Sequence, residues 1–181
     1  MAVWRSLRST HERYCAAAAA DDAMNANAVI QIENPRADGV AELIAALDSY
    51  LSALYPPSSN HFLDLEQLAA PEIRFFVARR AGAPLACGAL RIDAAGYGEV
   101  KRMYVAPSAR GQGLGRAILA RIEEQAAREE LALLRLETGI HQAEAIALYR
   151  ASGYVDCGAF GDYKPDPLSR FMEKRLEGVR S

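Results

Sequence analysis

Three glycines alternate with other residues in the segment 110–116, which lies between an apolar, strand-like run (residues 100–105) and a long amphipathic stretch. The segment reads Arg-Gly-Gln-Gly-Leu-Gly-Arg. Its glycines leave backbone N–H groups unshielded, and a helix that begins there adds the positive end of its dipole. The two arginines contribute full positive charges. The pattern therefore predicts a strand, a loop and a helix that together form a pocket for phosphate groups.

Other glycine-rich motifs fit the segment less well. A Walker loop requires Gly-Lys-Ser/Thr, whereas Gly115 precedes Arg116 and Ala117. A dinucleotide-binding fingerprint has the spacing G-x-G-x-x-G directly after its strand, with an acidic residue about 20 positions later. Glu137 lies at such a distance, but the spacing here is G-x-G-x-G and too little chain follows for a doubly wound sheet. A dinucleotide site and a plain helix cap are the alternatives.

Together with its neighbours, the segment resembles the GNAT acetyltransferases. Arg110-Gly-Gln-Gly-Leu-Gly115 is similar to the R/Q-x-x-G-x-G/A loop that holds the pyrophosphate of acetyl-CoA in that family. Residues 99–107 resemble the strand before this loop, residues 133–138 the next strand, and residues 145–154 the helix and turn after it. The resemblance covers roughly residues 29–177. It implies a mixed α/β fold with a mostly antiparallel central sheet flanked by helices.

The composition is that of an ordinary globular protein. The 181 residues are 51% hydrophobic and 24% charged, which suits one domain with a sizeable core. A net charge of -2 argues against general binding to nucleic acid, because phosphate neutralisation needs an excess of basic residues. No apolar stretch of the sequence approaches the roughly 18 residues of a membrane span. We therefore expect no nucleic-acid or membrane partner.

The cysteines and histidines indicate a reducing compartment and no metal site. Cys15, Cys87 and Cys157 form no Cys-x-x-Cys pair, and the histidines are scattered. Unpaired cysteines are usual in the cytoplasm, where we expect the protein. Neither Cys87 nor Cys157 has a histidine base evident in the sequence, so no nucleophile for a covalent intermediate is predicted.

The sequence divides into a leader (residues 1–27), one domain (residues 28–177) and a short tail (residues 178–181). The leader is expected to be disordered or frayed. Apolar periodicity and turn signals predict a strand, two helices, three strands, a helix, a strand, a helix and two strands, in that order. These elements cover residues 29–33, 40–54, 62–68, 74–80, 85–93, 99–105, 113–130, 131–138, 142–152, 154–159 and 170–176. Asp38 is expected to cap the first helix.

Acetyl transfer to an amine has chemical requirements that single out two residues. The acceptor ammonium must lose a proton, the thioester oxygen needs hydrogen-bond donors, and the departing thiolate benefits from an acid. The resemblance implies that Glu99, at the start of the fourth strand, is the general base. Strand alternation puts Glu99, Lys101, Met103 and Val105 on one face, and pairing with Lys101 would weaken Glu99 as a base. A surface acid without a catalytic role is the alternative.

Tyr149 occupies the position at which many family members have the tyrosine that protonates the thiolate of coenzyme A. Because Ile146 and Tyr149 share a helix face, a core aromatic with a solvated hydroxyl is the alternative. Most members also carry an asparagine just after the fifth strand. Here that neighbourhood includes Thr138, His141 and Gln142, and we expect Gln142 or His141 to substitute for the asparagine.

The resemblance also implies the contacts with acetyl-CoA. The backbone groups of Met103 and Val105 are expected to pair with the pantetheine arm like an added strand and to polarise the thioester oxygen. The expected cofactor-binding residues are Met103, Tyr104, Val105, Arg110, Gly111, Gln112, Gly113, Leu114, Gly115, Arg116, Thr138 and Gln142. No metal is expected.

The acceptor pocket is expected to form from the first two helices, the polar linker between them (residues 58–61) and the loop 160–168. His61, Asp162 and Tyr163 are the candidate contacts, and their mixed polarity suits a small polar amine. The prediction is an N-acetyltransferase that passes an acetyl group from acetyl-CoA directly to a primary amine of a small molecule. Two alternatives stay open: acetylation of a protein at a lysine or N-terminal amine, and a non-catalytic acyl-CoA-sensing module. A homodimer is compatible with all three.

Overall fold

The computed structural model describes residues 28–177, so the predicted leader and tail lie outside the described residues. The strands are β1 (Val29–Ile32), β2 (Ile73–Arg80), β3 (Ala83–Ile92), β4 (Gly98–Val105), β5 (Leu133–Gly139), β6 (Val155–Cys157) and β7 (Ser169–Arg175). The helices are α1 (Val40–Leu54), α2 (Leu65–Leu68), α3 (Leu114–Arg128) and α4 (Ala143–Ala151), with 3₁₀ turns at Pro57–Ser59 and Pro107–Ala109. The predicted order is confirmed.

All seven strands form one sheet in the order β1-β2-β3-β4-β5-β7-β6. Every neighbouring pair is antiparallel except β4 and β5, which run parallel and are joined through α3. The mostly antiparallel mixed sheet that the resemblance implied is therefore confirmed. The parallel pairing ends at Val100 and Leu136. Within the described residues, positions 101–105 of β4 thus have no partner on β5, and the sheet opens at this point.

Helices cover both faces of the sheet. On one face, α3 buries an apolar stripe, and α4 adds Tyr149 to the same core. On the other face, α1 buries Val40, Leu43, Ile44 and Leu47 at helical spacing. Each fully buried aliphatic side chain contributes roughly 1.5–3 kcal/mol to stability. The sheet is thus held between two apolar layers, as a mixed α/β sandwich requires.

One predicted helix cap and one predicted helix start are wrong. Asp38 does not cap α1, because the capping position is Gly39, which has a left-handed backbone (φ 72°) and makes no side-chain hydrogen bond. Glycine adopts that angle with little strain. The second helix begins at Leu65 rather than at residue 62, because the Asp64 carboxylate accepts hydrogen bonds from two backbone N–H groups of the first turn.

A bulge in β4 changes the faces of its side chains. Cys87 of β3 pairs with Tyr104, whereas Ala89 pairs with Lys101, so two β4 residues lie opposite one residue of β3. One of these two is Arg102, whose φ of 57° is rare for a residue with a side chain. The alternation of faces is therefore inverted beyond the bulge.

The prediction that Glu99, Lys101, Met103 and Val105 share one face is accordingly wrong. Lys101 lies opposite Ala89, which packs under α1, and Glu99 precedes Lys101 by two residues on the same face. Met103 and Val105 pack instead against the core under α3. A one-residue shift in a strand inverts every face beyond it, and the sequence pattern does not show where such a shift occurs.

Candidate active site

Two cavities meet where β4 and β5 diverge. The larger cavity, of about 440 Å³, runs along the end of β4 to the start of α3. The smaller cavity, of about 90 Å³, lies between β5, the end of α1 and the segment that follows α1. Both cavities are lined by Leu47, Met103, Gln142, Ala145 and Tyr149. Ligands in the two cavities would therefore meet beside Met103 and Tyr149.

The glycine segment forms one end of the larger cavity. Arg110, Gly111, Gly113, Leu114 and Gly115 all line it. Gly111 and Gly113 have left-handed backbones (φ 73° and 76°), and Gly113 caps α3 without a side-chain hydrogen bond. The first turn of α3 therefore keeps backbone N–H groups without a side-chain cap at the positive end of its dipole, beside the Arg110 guanidinium. This arrangement suits phosphate groups.

The polar side chains of the segment have different surroundings. Nε of Arg110 donates to the backbone oxygen of Val105 (3.3 Å) at the edge of the larger cavity. The Gln112 amide accepts a hydrogen bond from Arg80 (2.9 Å) and donates one within its own loop (3.3 Å). Gln112 and Arg116 line neither cavity. The side chain of Gln112 therefore braces the loop from behind.

The unpaired edge of β4 forms the long wall of the larger cavity. Met103, Tyr104 and Val105 line it, in the stretch that has no β5 partner among the described strands. Backbone groups that β5 does not use are available to an extended ligand, which can pair with them as an added strand would. Met103 and Val105 thus lie on this wall, and the backbone role expected for them stays a prediction.

Tyr149 of α4 lines both cavities and is 5% exposed. Its ring packs edge to face against Tyr154, with ring centroids 5.8 Å apart, inside the core under α3. Burial, and to a lesser degree the charge of Glu137, raises the pKa of the Tyr149 phenol. The phenol is therefore protonated throughout the neutral range, as a proton donor must be. The Tyr149 ring therefore packs in the core and also borders both cavities, so the two positions considered from the sequence are not exclusive.

The turn between β5 and α4 contributes residues to both cavities. Thr138 is buried and lines the smaller cavity, and Gln142 lines both. The Tyr55 hydroxyl accepts a 2.9 Å hydrogen bond from the backbone N–H of His141, and the two rings stack with centroids 5.7 Å apart. A Cβ at Gly139 would collide with the Tyr55 ring. This contact was not predicted from the sequence.

Glu99 lies at the centre of a buried charge cluster. Its Oε1 accepts hydrogen bonds from Nζ of Lys101 (3.0 Å) and from the Tyr163 hydroxyl (2.6 Å). Nε of Arg91 lies 3.2 Å from its Oε2. The carboxylate is fully buried and lines neither cavity. The pairing with Lys101 that would weaken Glu99 as a base is therefore present, and Glu99 is not a surface acid.

Glu137 on β5 is a second acid, and it lines the smaller cavity. Its Oε1 accepts a 2.6 Å hydrogen bond from the Ser169 hydroxyl. Burial raises the pKa of the Glu137 carboxyl, while Ser169 and the charges of His61 and Lys101 oppose the rise. A carboxyl with a raised pKa beside a cavity has the properties of a general base. This property of Glu137 was not predicted from the sequence, although an acid that follows the leucines of β5 was an available signal.

The loop between β6 and β7 meets the segment after α1 at the smaller cavity. His61 and Leu168 line that cavity. The rings of His61 and Tyr163 pack edge to face, with centroids 4.9 Å apart. Tyr163 itself lies behind the lining, and Asp162 is exposed and lines neither cavity. Of the three predicted acceptor contacts, His61 is the one that borders the smaller cavity.

Comparison with known proteins identifies the family. The sequence model of the acetyltransferase (GNAT) family matches residues 40–154. The chain belongs to the GNAT family of acetyltransferases. The match spans more than half of the sequence and contains every residue that lines the larger cavity.

Relatives extend over most of this GNAT chain. It is 57% identical over 151 residues to the IAA acetyltransferase of Azospirillum brasilense, an alignment that covers 83% of this chain and 99% of the relative. It is 34% identical over 149 residues to YsnE, an uncharacterized N-acetyltransferase of Bacillus subtilis, with 81% and 99% covered. A Klebsiella pneumoniae structure assigned to the acyl-CoA N-acyltransferases superposes with a TM-score of 0.70 at 41% identity, over 82% of this chain and 97% of that one.

The described cysteines of the GNAT domain are poorly placed for covalent catalysis. Cys87 is fully buried in β3, and burial raises the pKa of its thiol to about 12. Cys157 lies on β6, lines neither cavity and also has a pKa raised by burial. Because the thiolate is the nucleophilic form, neither group is poised to accept an acetyl group.

Among residues 28–177 of this GNAT protein, no group of three or more His, Cys, Asp or Glu side chains could hold a metal ion. In the same part of the chain, none of the helices has the length and apolar character needed to cross a membrane.

Proposed function

We propose that this GNAT protein is a cytoplasmic N-acetyltransferase that moves an acetyl group from acetyl-CoA directly to the primary amine of a small polar molecule. The observation that carries the proposal is the meeting of two cavities beside Met103 and Tyr149. The larger cavity offers what phosphate groups and an extended arm require. The smaller cavity offers an acidic side chain and space for a small acceptor.

The larger cavity fits acetyl-CoA, which supplies an activated acetyl thioester when bound. The uncapped first turn of α3, with Gly111, Gly113 and Arg110, would hold its pyrophosphate. The backbone of Met103 and Val105 on the open edge of β4 would hold its extended arm. The left-handed backbone of Gly111 (φ 73°) supports this fit, because a residue with a side chain would be strained there.

Glu137 is the residue that we propose as the general base. It lines the smaller cavity, where the acceptor would lie, and one of its oxygens is oriented by Ser169. The raised pKa of Glu137 makes it a stronger proton acceptor than an ordinary carboxylate. It would take a proton from the acceptor ammonium and free the amine lone pair. Glu99, held by Lys101 and Tyr163, would instead anchor the loop behind the acceptor.

Tyr149 is the residue that we propose as the acid for the departing thiolate. It lines both cavities at their junction, and its raised pKa keeps the phenol protonated at neutral pH. Thr138 and Gln142 would complete the wall on the side of β5. In the same acetyl transfer, Glu137 would thus take a proton from the acceptor ammonium and Tyr149 would give a proton to the thiolate of coenzyme A.

The size and closure of the smaller cavity favour a small acceptor over a protein chain. Its volume of about 90 Å³ corresponds to roughly six to nine water-sized positions. The loop between β6 and β7 borders this cavity through Leu168, and its Tyr163 ring packs against the His61 ring, which also lines the cavity. The name of the Azospirillum relative, IAA acetyltransferase, is that of an enzyme, which favours catalysis over a sensing module.

The proposal is tested by incubating the purified protein with acetyl-CoA and a panel of amino acids, polyamines, aminoglycosides and peptides. Amine-dependent release of free thiol, with the acetylated amine identified by mass spectrometry, is the expected result. Transfer to peptides alone would favour the protein acceptor instead, and an absence of any acetylated product would favour the sensing module. An acetylated enzyme that passes its acetyl group to an amine would overturn direct transfer.

A further inference from the structure

A buried arginine lines the smaller cavity without the hydrogen bonds that its burial calls for. Arg102 is 8% exposed, and its side chain is 3% exposed. None of its three side-chain nitrogens has a hydrogen-bond partner within the described part of the chain. Buried guanidinium groups are ordinarily satisfied, because an unpaired charged donor is costly away from water. These donors are therefore available to a ligand of the cavity that Arg102 lines.

The neighbours of Arg102 contact its side chain but do not use all of its hydrogen-bond donors. Its Nη1 lies 2.6 Å from Oδ1 of Asp48 on α1, and its guanidinium carbon lies 5.4 Å from the centre of the Phe62 ring. The Asp48 contact lacks hydrogen-bond geometry, and Asp48 does not line the cavity. A guanidinium carries five N–H groups. Asp48 therefore compensates part of the charge from behind and leaves most donors for a ligand.

The bulge in β4 gives Arg102 its place. In a regular strand, Arg102 would share a face with Val100, which lies in the apolar core under α3. The bulge, with its φ of 57°, instead brings Arg102 to the α1 side, next to Asp48 and Phe62. A left-handed backbone at a residue with a side chain is strained, and such strain collects at ligand sites.

The other basic side chains of the smaller cavity are already engaged or exposed. Nζ of Lys101 lies 3.0 Å from Oε1 of Glu99 and 2.6 Å from the Tyr163 hydroxyl. His61 is exposed and packs against Tyr163. Among the described residues that line this cavity, Arg102 is thus the buried cation with open donors.

We infer that the acceptor is an amine that also carries a carboxylate, as an α-amino acid does, and that Arg102 binds this carboxylate. The inference rests on the proposed function and names its acceptor class. The two charged ends of such a molecule match the Arg102 guanidinium and the Glu137 carboxylate, which line the same cavity. Two parallel hydrogen bonds between guanidinium and carboxylate fix orientation as well as affinity. They would hold the amine toward Glu137.

The test compares amino acids with their own amides. Alanine, serine and phenylalanine are paired with alaninamide, serinamide and phenylalaninamide, and kcat/KM for acetylation is measured for each. The amine of an amide is the more acidic one, so solution chemistry alone favours the amides. The wild-type protein should nevertheless prefer at least one acid over its amide by about 10- to 100-fold, as expected for a charge-assisted hydrogen-bonded pair.

Substitutions at Arg102 tie this preference to one side chain. Arg102→Met should bring the ratio of acid to amide close to one, and Arg102→Lys, which keeps the charge but not the planar fork, should give an intermediate ratio. Arg128→Met, which removes an exposed cation of α3, is the matched control and should keep the wild-type ratio. If Arg102→Met alone does not fold, the double variant with Asp48→Asn removes both charges together.

A binding measurement separates this inference from the proposed function. Calorimetric titration of the same acids and amides, in the presence of coenzyme A, reports recognition without transfer. Acids that bind through Arg102, when no amine of this panel or of the wider one is acetylated, would overturn the proposed function and keep Arg102 as a carboxylate site. Equal use of acids and amides, a preference that survives Arg102→Met, or no binding of any acid in the panel would overturn the inference.

Discussion

The Tyr163 hydroxyl, in the loop between β6 and β7, donates a 2.6 Å hydrogen bond to Oε1 of Glu99 on β4. The hydroxyl in turn accepts a hydrogen bond from Nζ of Lys101 (2.6 Å), which also donates to Glu99 (3.0 Å). The Tyr163 ring packs edge to face on His61 at the smaller cavity. One side chain thus couples a buried ion pair to the loop that covers the proposed acceptor site.

Tyr163→Phe should loosen this coupling, because it keeps the ring but removes the hydroxyl from Glu99 and Lys101. We expect the free energy of unfolding to fall by about 1–3 kcal/mol, and Tm to fall by about 2–4 °C for each kcal/mol. The KM for the acceptor should rise while the affinity for acetyl-CoA stays the same. Calorimetry measures the Tm and the affinity for acetyl-CoA, and steady-state kinetics measure the acceptor KM. The control is Tyr50→Phe, which removes a hydroxyl at the larger cavity. An unchanged Tm and acceptor KM would contradict the coupling.

Glu137→Gln should lower kcat/KM for the amine by about 10²- to 10⁴-fold at neutral pH, since glutamine does not accept a proton. In the wild type, kcat/KM should fall as the pH drops through the raised pKa of Glu137, because the protonated carboxyl is no longer a base. The variant should lack this limb and follow the titration of the amine alone. Its deficit should therefore be largest between the raised pKa of Glu137 and the pKa of the amine, and it should shrink below and above that range, which a pH–rate profile measures.

The stability of Glu137→Gln gives an independent test of the raised pKa of Glu137. The folded pKa of Glu137 lies above the unfolded one, so ionisation works against the fold. Wild type should lose stability relative to Glu137→Gln as the pH rises from the ordinary carboxyl pKa through the raised one. Glu99→Gln is the comparator, and its main effect should be a lower Tm. The opposite outcome would make Glu99 the base: Glu99→Gln would have a lowered kcat/KM that recovers at high pH, and Glu137→Gln would keep its activity.

The part of the fold and site that could be predicted from the sequence depends on interactions between residues that are close in the chain. The glycine segment predicted its own strand, loop and helix, since its three glycines and two arginines act through neighbouring backbone groups. The left-handed backbones of Gly111 and Gly113 are the consequence in the structure. Element order followed from apolar periodicity, and the sheet type from the resemblance to the family.

The remainder depends on strand register and on contacts between distant residues. The bulge at Arg102 inverted the predicted face of Met103, and no local pattern marks where a register shifts. Tyr163 reaches Glu99 across 64 positions of sequence, so the pairing follows only from the packed sheet. Glu137 became a candidate base because β5 borders a cavity that exists only where β4 and β5 diverge.

Gly115 offers a test of phosphate binding at the start of α3. A Cβ there would lie 3.4 Å from Leu148 and 3.6 Å from Val105, which are ordinary contact distances, so Gly115→Asp and Gly115→Asn should both fold. An acid in a first helical turn is itself favourable. Coenzyme A should raise the Tm of the wild type by mass action. The Asp variant should lose this shift through charge repulsion, while the uncharged Asn variant of similar size should keep part of it.

The outcome of that comparison depends on charge alone. Thermal shift measured over a coenzyme A titration gives the apparent affinity of each variant. Equal affinities of Gly115→Asp and Gly115→Asn would mean that the phosphates bind away from the glycine segment.

Glu33 and Arg79 should stabilise the fold in a pH-dependent way. Nε and Nη2 of Arg79 donate to both Glu33 oxygens at 2.8 to 3.0 Å, which lowers the pKa of Glu33. The stabilisation is therefore present above the unfolded pKa and lost as the pH falls through the folded one. Glu33→Gln should cost about 1–3 kcal/mol at neutral pH and nothing in strong acid, as measured by urea unfolding. Glu124→Gln, at an exposed ion pair, should cost little at either pH.

Tyr149→Phe separates proton donation from packing. Phenylalanine keeps the ring that packs against Tyr154, so the fold and the affinity for acetyl-CoA should be retained. If the phenol protonates the thiolate, kcat should fall by about 10²-fold or more, because only an interaction made during the reaction is lost. The raised pKa of Tyr149 keeps the wild-type phenol protonated, so the deficit should not change across the neutral pH range.

Tyr154→Phe is the matched control for this prediction, because Tyr154 is a buried neighbour in the same core but lines neither cavity. Single-turnover kinetics and calorimetric binding of acetyl-CoA measure the chemical step and the affinity separately. Tyr154→Phe should keep the wild-type kcat. An equal fall in both variants would trace the effect to packing, and a wild-type kcat in Tyr149→Phe would leave Tyr149 as a core residue whose hydroxyl takes no part in the transfer.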